Sequence, residues 1–287
     1  MKRRKGRKIL LYSALSVVSI LGAFVVWQMT KTVPTNGDWQ DVSRVQSTAT
    51  FDGNFVTVHN IRNFQYDANR TPTVEAYYDK TYDLRTLKKV WYITDPFSPG
   101  SPFAHTFISF EFADESFLAI TIEGRLTKGQ EYNLLNGTIH TFPLIYIAAD
   151  ERDVIYVRTN IHHDGVYVYP MRATPEQGRL LLTDILHRMN ELVARPDWYN
   201  SIYANCTSSI ANHINRIWPG VLPTFDWQEL LTSYADELAL QKGLVDTTLP
   251  LDQARQTFYV TDRAQHVGYV ADFSTLIRQT DTHTQTQ

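Results

Sequence analysis

The segment "SIYANCTSSI", residues 201–210, carries the only cysteine among 287 residues. Its neighbours Asn205, Thr207, Ser208 and Ser209 are polar, an unnatural setting for a thiol that serves only as a small hydrophobe. Ile210, Ile214 and Ile217 then recur at helical spacing, which puts Cys206 in the first turn of a helix capped by Asn205 or a neighbour. The unpaired N–H groups and the dipole of a helix start favour an anion, so a thiol there is a candidate nucleophile. An inert core cysteine is the competing reading.

A thiol nucleophile needs a base. Of nine histidines, His283 lies in the tail, His187 and His213 fall inside predicted helices, and His162 and His163 share a turn. His59 and His140 lie near strand ends, and His266 is in a poorly patterned region. His105 opens an alternating strand, "FAHTFISFEF", just after the Pro-rich loop "DPFSPGSP". A strand end beside a loop is where a rigid base can project towards a helix start, and His105 is the candidate. A third group should orient the imidazole. Glu123 on the following strand is the candidate, with Glu111 and Asn205 as competitors. The adjacent histidines of "IHHDG" lack the spacing of a metal site, and no CxxC, HExxH or phosphate-loop glycine pattern occurs. No metal and no cofactor is expected.

Strands are expected over "NFVTVHNIRNFQY", 87–94, 103–112, 116–123, 141–150, 153–160 and 165–171, forming an antiparallel sheet. At Thr174 the period becomes helical, with Pro175 at the first helical position. A second helix starts near Cys206 and a third, "WQELLTSYADELALQKG", runs unbroken to Gly243. Strands first and helices afterwards give an α+β fold.

The start, "MKRRKGRK", carries six cations, and Ile9 to Met29 contains no charged side chain. About 20 apolar residues span a bilayer as a helix, and the basic flank stays inside. A cleaved signal peptide shares this layout, but the long apolar run without a small-x-small cleavage pattern points to an uncleaved signal anchor. Without those six cations the chain has 21 basic against 30 acidic side chains, a net charge of −9. That balance argues against nucleic acid as a partner. The expected organisation is a basic flank (1–8), a transmembrane anchor (9–29), a linker (30–50), a catalytic domain (51–245), a C-terminal extension (246–279) and a disordered tail (280–287).

"HNIRNFQY", "YDLRTLKKVWYI", "AHTFISFEF", "ITIEGR", "ERDVIYVRTN", "VYVYPM" and "YNSIYANCTSSI" follow one another in an order that resembles the Lnb-type N-terminal periplasmic domain. That family is similar to permuted papain-like thiol enzymes of the NlpC and lecithin:retinol acyltransferase types, in which the His strand precedes the Cys helix. The resemblance implies a papain-like sheet packed on helices, Cys206 as nucleophile and His105 as base. It also implies a periplasmic domain; the one apolar run, Ile9 to Met29, gives that domain a single inner-membrane span, a departure from the family if the acyltransferase relatives use further membrane segments. The implied activity is lipoprotein N-acyl transfer, from a membrane phospholipid through a thioester to a lipoprotein N-terminus. Arg62, Arg125 and Arg158 would meet a phosphate headgroup or serve as ion-pair partners, and Tyr203 and Asn205 lie in the nucleophile block as substrate contacts. A cysteine peptidase or amidase on cell-wall peptides, or a non-catalytic envelope interaction domain, are the alternatives.

Overall fold

The fold is described by a computed structural model over residues 2–223 and 226–279. Eight strands build one sheet: β1 (Thr48–Asp52), β2 (Phe55–Tyr66), β3 (Pro72–Asp83), β4 (Leu87–Pro96), β5 (Ala104–Phe112), β6 (Phe117–Gly124), β7 (Leu144–Ala149) and β8 (Tyr167–Pro170). Their order is β1-β2-β7-β6-β5-β4-β8, with β3 also paired to β2. The pairings are antiparallel apart from β2 with β7, which meet in parallel at Arg62 and Ala149. The helices are α1 (Lys2–Thr30), α2 (Leu134–Thr138), α3 (Glu151–Val154), α4 (Pro175–Ala194), α5 (Cys206–Ile217), α6 (Trp227–Leu230), α7 (Ala235–Gln241), α8 (Leu251–Phe258), α9 (Thr261–Val267) and α10 (Phe273–Leu276). The α+β expectation holds.

The alternation of β5 divides the core. Ile108 and Phe110 face the side covered by α4 and α5, where Leu181, Ile185, Ile210 and Ile214 complete a large apolar cluster. Phe107 faces the opposite side and packs with Val154, Ile155, Val260 and Phe273. Helix α4 starts as its sequence dictates: Thr174 and Gln177 form a reciprocal cap ahead of Pro175. Helix α1 contains a span of 19 residues, Tyr12–Thr30, long and apolar enough to cross a membrane, and 6% of its most apolar window is buried.

Several expectations change. "DVIYVRTN" is not a strand; it forms the end of α3 and a π-helical turn, Val157–His162. A short run rich in branched and aromatic residues fits a buried helical turn as well as a strand. The predicted third helix breaks between α6 and α7, where the Thr232 hydroxyl accepts from the Ala104 N–H (2.6 Å) and donates to its carbonyl (2.7 Å). Residues 30–50 are not all linker: Trp39 pairs with Thr127, and β1 begins at Thr48. Residues 246–279 contain α8 to α10, and Ala264 and Phe273 are fully buried against the sheet. The expected tail, 280–287, lies outside the described residues.

Candidate active site

Asn205 caps α5. Its side chain accepts from the Ser208 N–H, and the Ser208 side chain takes the Asn205 N–H in return. Cys206 is therefore the first helical residue, 6% exposed, with Sγ 3.9 Å from the Thr207 hydroxyl. The first N–H groups of a helix have no partner within it, and among the described residues none takes those of Cys206 and Thr207, so they can serve an oxyanion.

His105 enters from β5. The β5–β6 register pairs Phe107 with Thr121, and its continuation sets His105 opposite Glu123. The His105 Nε2 lies 3.7 Å from Glu123 Oε1, too far for a hydrogen bond. The Thr121 hydroxyl closes the gap, 2.6 Å from Nε2 and 2.9 Å from Oε1. A hydroxyl has one proton, and Thr121 donates it to the carboxylate. It must then accept from Nε2–H, which leaves Nδ1 with the basic lone pair. Thr106 and Thr207, the residues after the histidine and the cysteine, are joined at 2.9 Å between hydroxyls, which fixes α5 against β5.

Cys206, His105 and Glu123 line one cavity of about 760 Å³, together with Asn205, Arg62 and Arg158. Phe97, Phe103, Ile122, Leu126, Leu134 and Leu230 supply an apolar wall. Among the described residues there is no direct hydrogen bond from His105 to Sγ. Catalytic contacts of this kind often tighten only around substrate.

The electrostatics favour a neutral base. Burial, helped by the nearby Arg158 and Arg62 cations, lowers the His105 pKa to about 3, and Glu123 only partly opposes this. Burial pushes Glu123 upward, but His105, Arg62 and Arg158 together with the Thr121 hydrogen bond outweigh it, so its carboxyl stays below the ordinary value. Asp95, which pairs with His105 across β4 and β5, also lines the cavity. Burial raises its pKa to about 7 even though Arg158 lies 3.0 Å away.

The other expected residues divide. Arg62 reaches the cavity wall, but its guanidinium is held by both Asp153 oxygens (2.8 and 3.1 Å) and by the Val42 carbonyl (2.7 Å). It is a buried ion-pair partner. Arg125 does not line the cavity; it binds the Ser43 and Arg44 carbonyls and lies over Trp39, pinning the segment before β1. Arg158 does line it, tied to Asp95 and to the Val154 carbonyl. Tyr203 is 60% exposed and outside the cavity lining, whereas Asn205 is buried as the cap. Glu111 is bonded to Trp91 and Lys88 at the far end of β5, away from His105.

Three participants escaped the sequence reading. Thr121 shares a strand face with Glu123, an i, i+2 signal that was available. Asp95 could have been found from its place before the Pro-rich loop. His162 lines the cavity, held to Asp164 at 3.2 Å; the sequence places it in a turn with His163 and gives no sign that this turn reaches the site.

No curated protein and no solved structure matches the chain. A family model described as the Lnb N-terminal periplasmic domain matches residues 73–233, a range that includes β5, β6 and the whole of α5. The match takes in more than half of the chain, which therefore belongs to the Lnb N-terminal periplasmic domain family.

Proposed function

We propose that the chain is a membrane-anchored thiol acyltransferase of papain-like type, acting outside the inner membrane. The observation that carries this reading is the meeting, in one apolar-walled cavity, of a thiol at a helix start and a neutral histidine backed by a hydroxyl and a carboxylate. Its volume falls in the ~300–1,000 Å³ range of ligand clefts. In the first step His105 Nδ1 takes the Cys206 proton and the thiolate attacks an acyl ester carbonyl of a phospholipid. The tetrahedral oxyanion faces the helix-start N–H groups. Its collapse forms the thioester and breaks the ester C–O bond, and the leaving alcohol takes the proton from His105. An amine, in this reading the N-terminus of a lipoprotein, then attacks the thioester, gives a proton to His105 and leaves as the amide, and Cys206 is regenerated as thiol. Dividing the transfer in two is the benefit of covalent catalysis, and the apolar wall keeps water from the thioester.

Hydrolysis of a cell-wall peptide by the same pair is the second reading, favoured by the polar side of the cavity, where Arg70, Arg158, His162 and Asp164 line it. Intact mass after incubation with phospholipid vesicles separates them. Transfer predicts a hydroxylamine-labile acyl adduct on the wild-type chain, none on Cys206→Ser, and formation slowed ~10²–10⁴-fold in His105→Ala. A readily alkylated thiol that never gains an adduct would shift the assignment to hydrolysis.

A further inference from the structure

We propose that residues 132–140 together with residues 198–203 form a membrane-contact platform, which seats the rim of the Cys206 cavity in the lipid interface beside the exit of α1. The proposal rests on α1 being the membrane span and does not depend on which reaction Cys206 performs.

The platform holds the end of the anchor. Within Tyr12–Thr30 the one buried side chain is Gln28, 8% exposed. The Gln28 carbonyl is 3.0 Å from His140 Nδ1. One turn on, the Lys31 ammonium donates to the Ile139 and His140 carbonyls at 3.1 and 3.4 Å, and sits 4.2 Å from the Trp27 ring centre. The His140 ring stacks on Trp198 with centres 5.5 Å apart. A tryptophan and a lysine at a helix end are the side chains that anchor a span at the headgroup level.

The platform also presents apolar side chains that none of the described residues covers. Leu135 is 77% exposed, Tyr203 60%, Ile202 44% and Leu134 41%. The sequence sets these segments apart: neither 132–149 nor 198–215 contains a Lys, Arg, Asp or Glu, in a chain otherwise one-fifth charged. An uncharged apolar surface continuous with a membrane anchor suits the headgroup–acyl boundary, whereas an isolated soluble domain rarely leaves one open.

The two segments are bonded to each other. The Ser201 N–H donates to the Gly137 carbonyl (3.0 Å), the Asn200 amide to the Thr138 carbonyl (3.2 Å), and the Tyr132 and Ser201 hydroxyls meet at 2.9 Å. From Ser201 the connection reaches the nucleophile helix, because its carbonyl accepts from the Asn205 side chain at 3.0 Å. Tyr132, Asn133, Leu134 and Ser201 line the cavity itself. A lipid chain leaving the bilayer at this rim would reach Cys206 along apolar surface.

The chain's lone thiol makes the test simple, since Cys206→Ser removes all cysteine. In that background Leu135→Cys, Tyr203→Cys and, as control, Phe55→Cys at the exposed start of β2 each receive a nitroxide. The full chain is reconstituted in vesicles of phosphatidylethanolamine and phosphatidylglycerol, and collisions with oxygen and with a water-soluble nickel chelate are measured. The platform labels should favour oxygen over nickel several-fold more than the Phe55 label does. Nickel access equal to that at Phe55 overturns the proposal. So does shielding from both reagents, which would mean that protein rather than lipid covers this face. Because the nucleophile is absent throughout, failure of the acyltransferase reading leaves this result untouched.

Discussion

Thr121 decides how His105 is held. Without it, Nε2 and Glu123 stand 3.7 Å apart, a charge contact that fixes neither tautomer nor ring angle. The hydroxyl converts that contact into two short hydrogen bonds and assigns the lone pair to Nδ1. Thr121→Val should therefore slow alkylation or acylation of Cys206 by ~10-fold or more, within the range lost when a base is disoriented, and Thr121→Ser should restore it. Equal rates for the valine and serine variants would remove the relay from the account. The same surroundings set the titration of the ring. Burial with the Arg158 and Arg62 charges keeps the His105 pKa near 3, below its unfolded value of about 6.5. The His105 ring signal should accordingly stay in its neutral position from about pH 8 to about pH 5 in NMR of histidine-labelled protein. Arg158→Gln should move its midpoint upward. The stability consequence has a definite sign: as pH falls from about 6.5 towards about 3, the unfolded chain takes a proton that folded His105 refuses, so stability decreases over that window.

Among elements, the break between α6 and α7 shows tertiary structure overriding local pattern. "WQELLTSYADELALQKG" has the composition of a helix, yet both hydrogen bonds of Thr232 go to Ala104, next to His105. Thr232→Val would orphan a buried N–H and a buried C=O together, at ~1–3 kcal/mol for each unsatisfied group. Urea unfolding of the detergent-solubilised chain should show a loss of about 2–6 kcal/mol, while a loss under half a kcal/mol would mean that the β5 start does not depend on this residue. The elements legible in the sequence were those whose pattern matches their burial, such as β5 with its alternation, or α4 with its cap and proline. β3 was overlooked because it lies largely in solvent and its "PTVEAYYDKTYD" mixes charge with aromatics. Residues 153–160 were misread because a short buried helical turn and a short buried strand select the same apolar residues. At the candidate site, Cys206 and His105 were readable from motif and from position in a helix or strand, and Glu123 only as one of three candidates for the third group. Thr121 and Asp95 left only partial signals, a strand face shared with Glu123 and a place at the Pro-rich loop, because their roles exist across the sheet, in registers that one strand's sequence does not carry.

At the scale of the whole molecule, the anchor, the cavity rim and the nucleophile helix are coupled through a single close approach. A Cβ at Gly137 would lie 2.0 Å from the Ser201 hydroxyl oxygen, closer than any contact that side chains tolerate. Ser201 is itself buried, its N–H bonded to the Gly137 carbonyl and its hydroxyl to the Tyr132 hydroxyl, and its Cβ would stand 3.3 Å from the new methyl even with the hydroxyl turned away. Gly137→Ala must therefore part the 132–140 segment from the 198–204 segment. The first holds the end of α1 through His140, and the second leads directly into the Asn205 cap and Cys206. Overpacking of this kind costs about 1–3 kcal/mol, which should appear as a lowered thermal midpoint of the full chain. The more telling readout is local. If the platform transmits the anchor's position to the site, hydrogen exchange in Gly137→Ala should rise over both 132–140 and the start of α5 while the β4–β5 core stays protected. Exchange that rises evenly across the sheet would mean only general destabilisation, and exchange confined to 132–140 would separate the membrane rim from the thiol it is argued to serve.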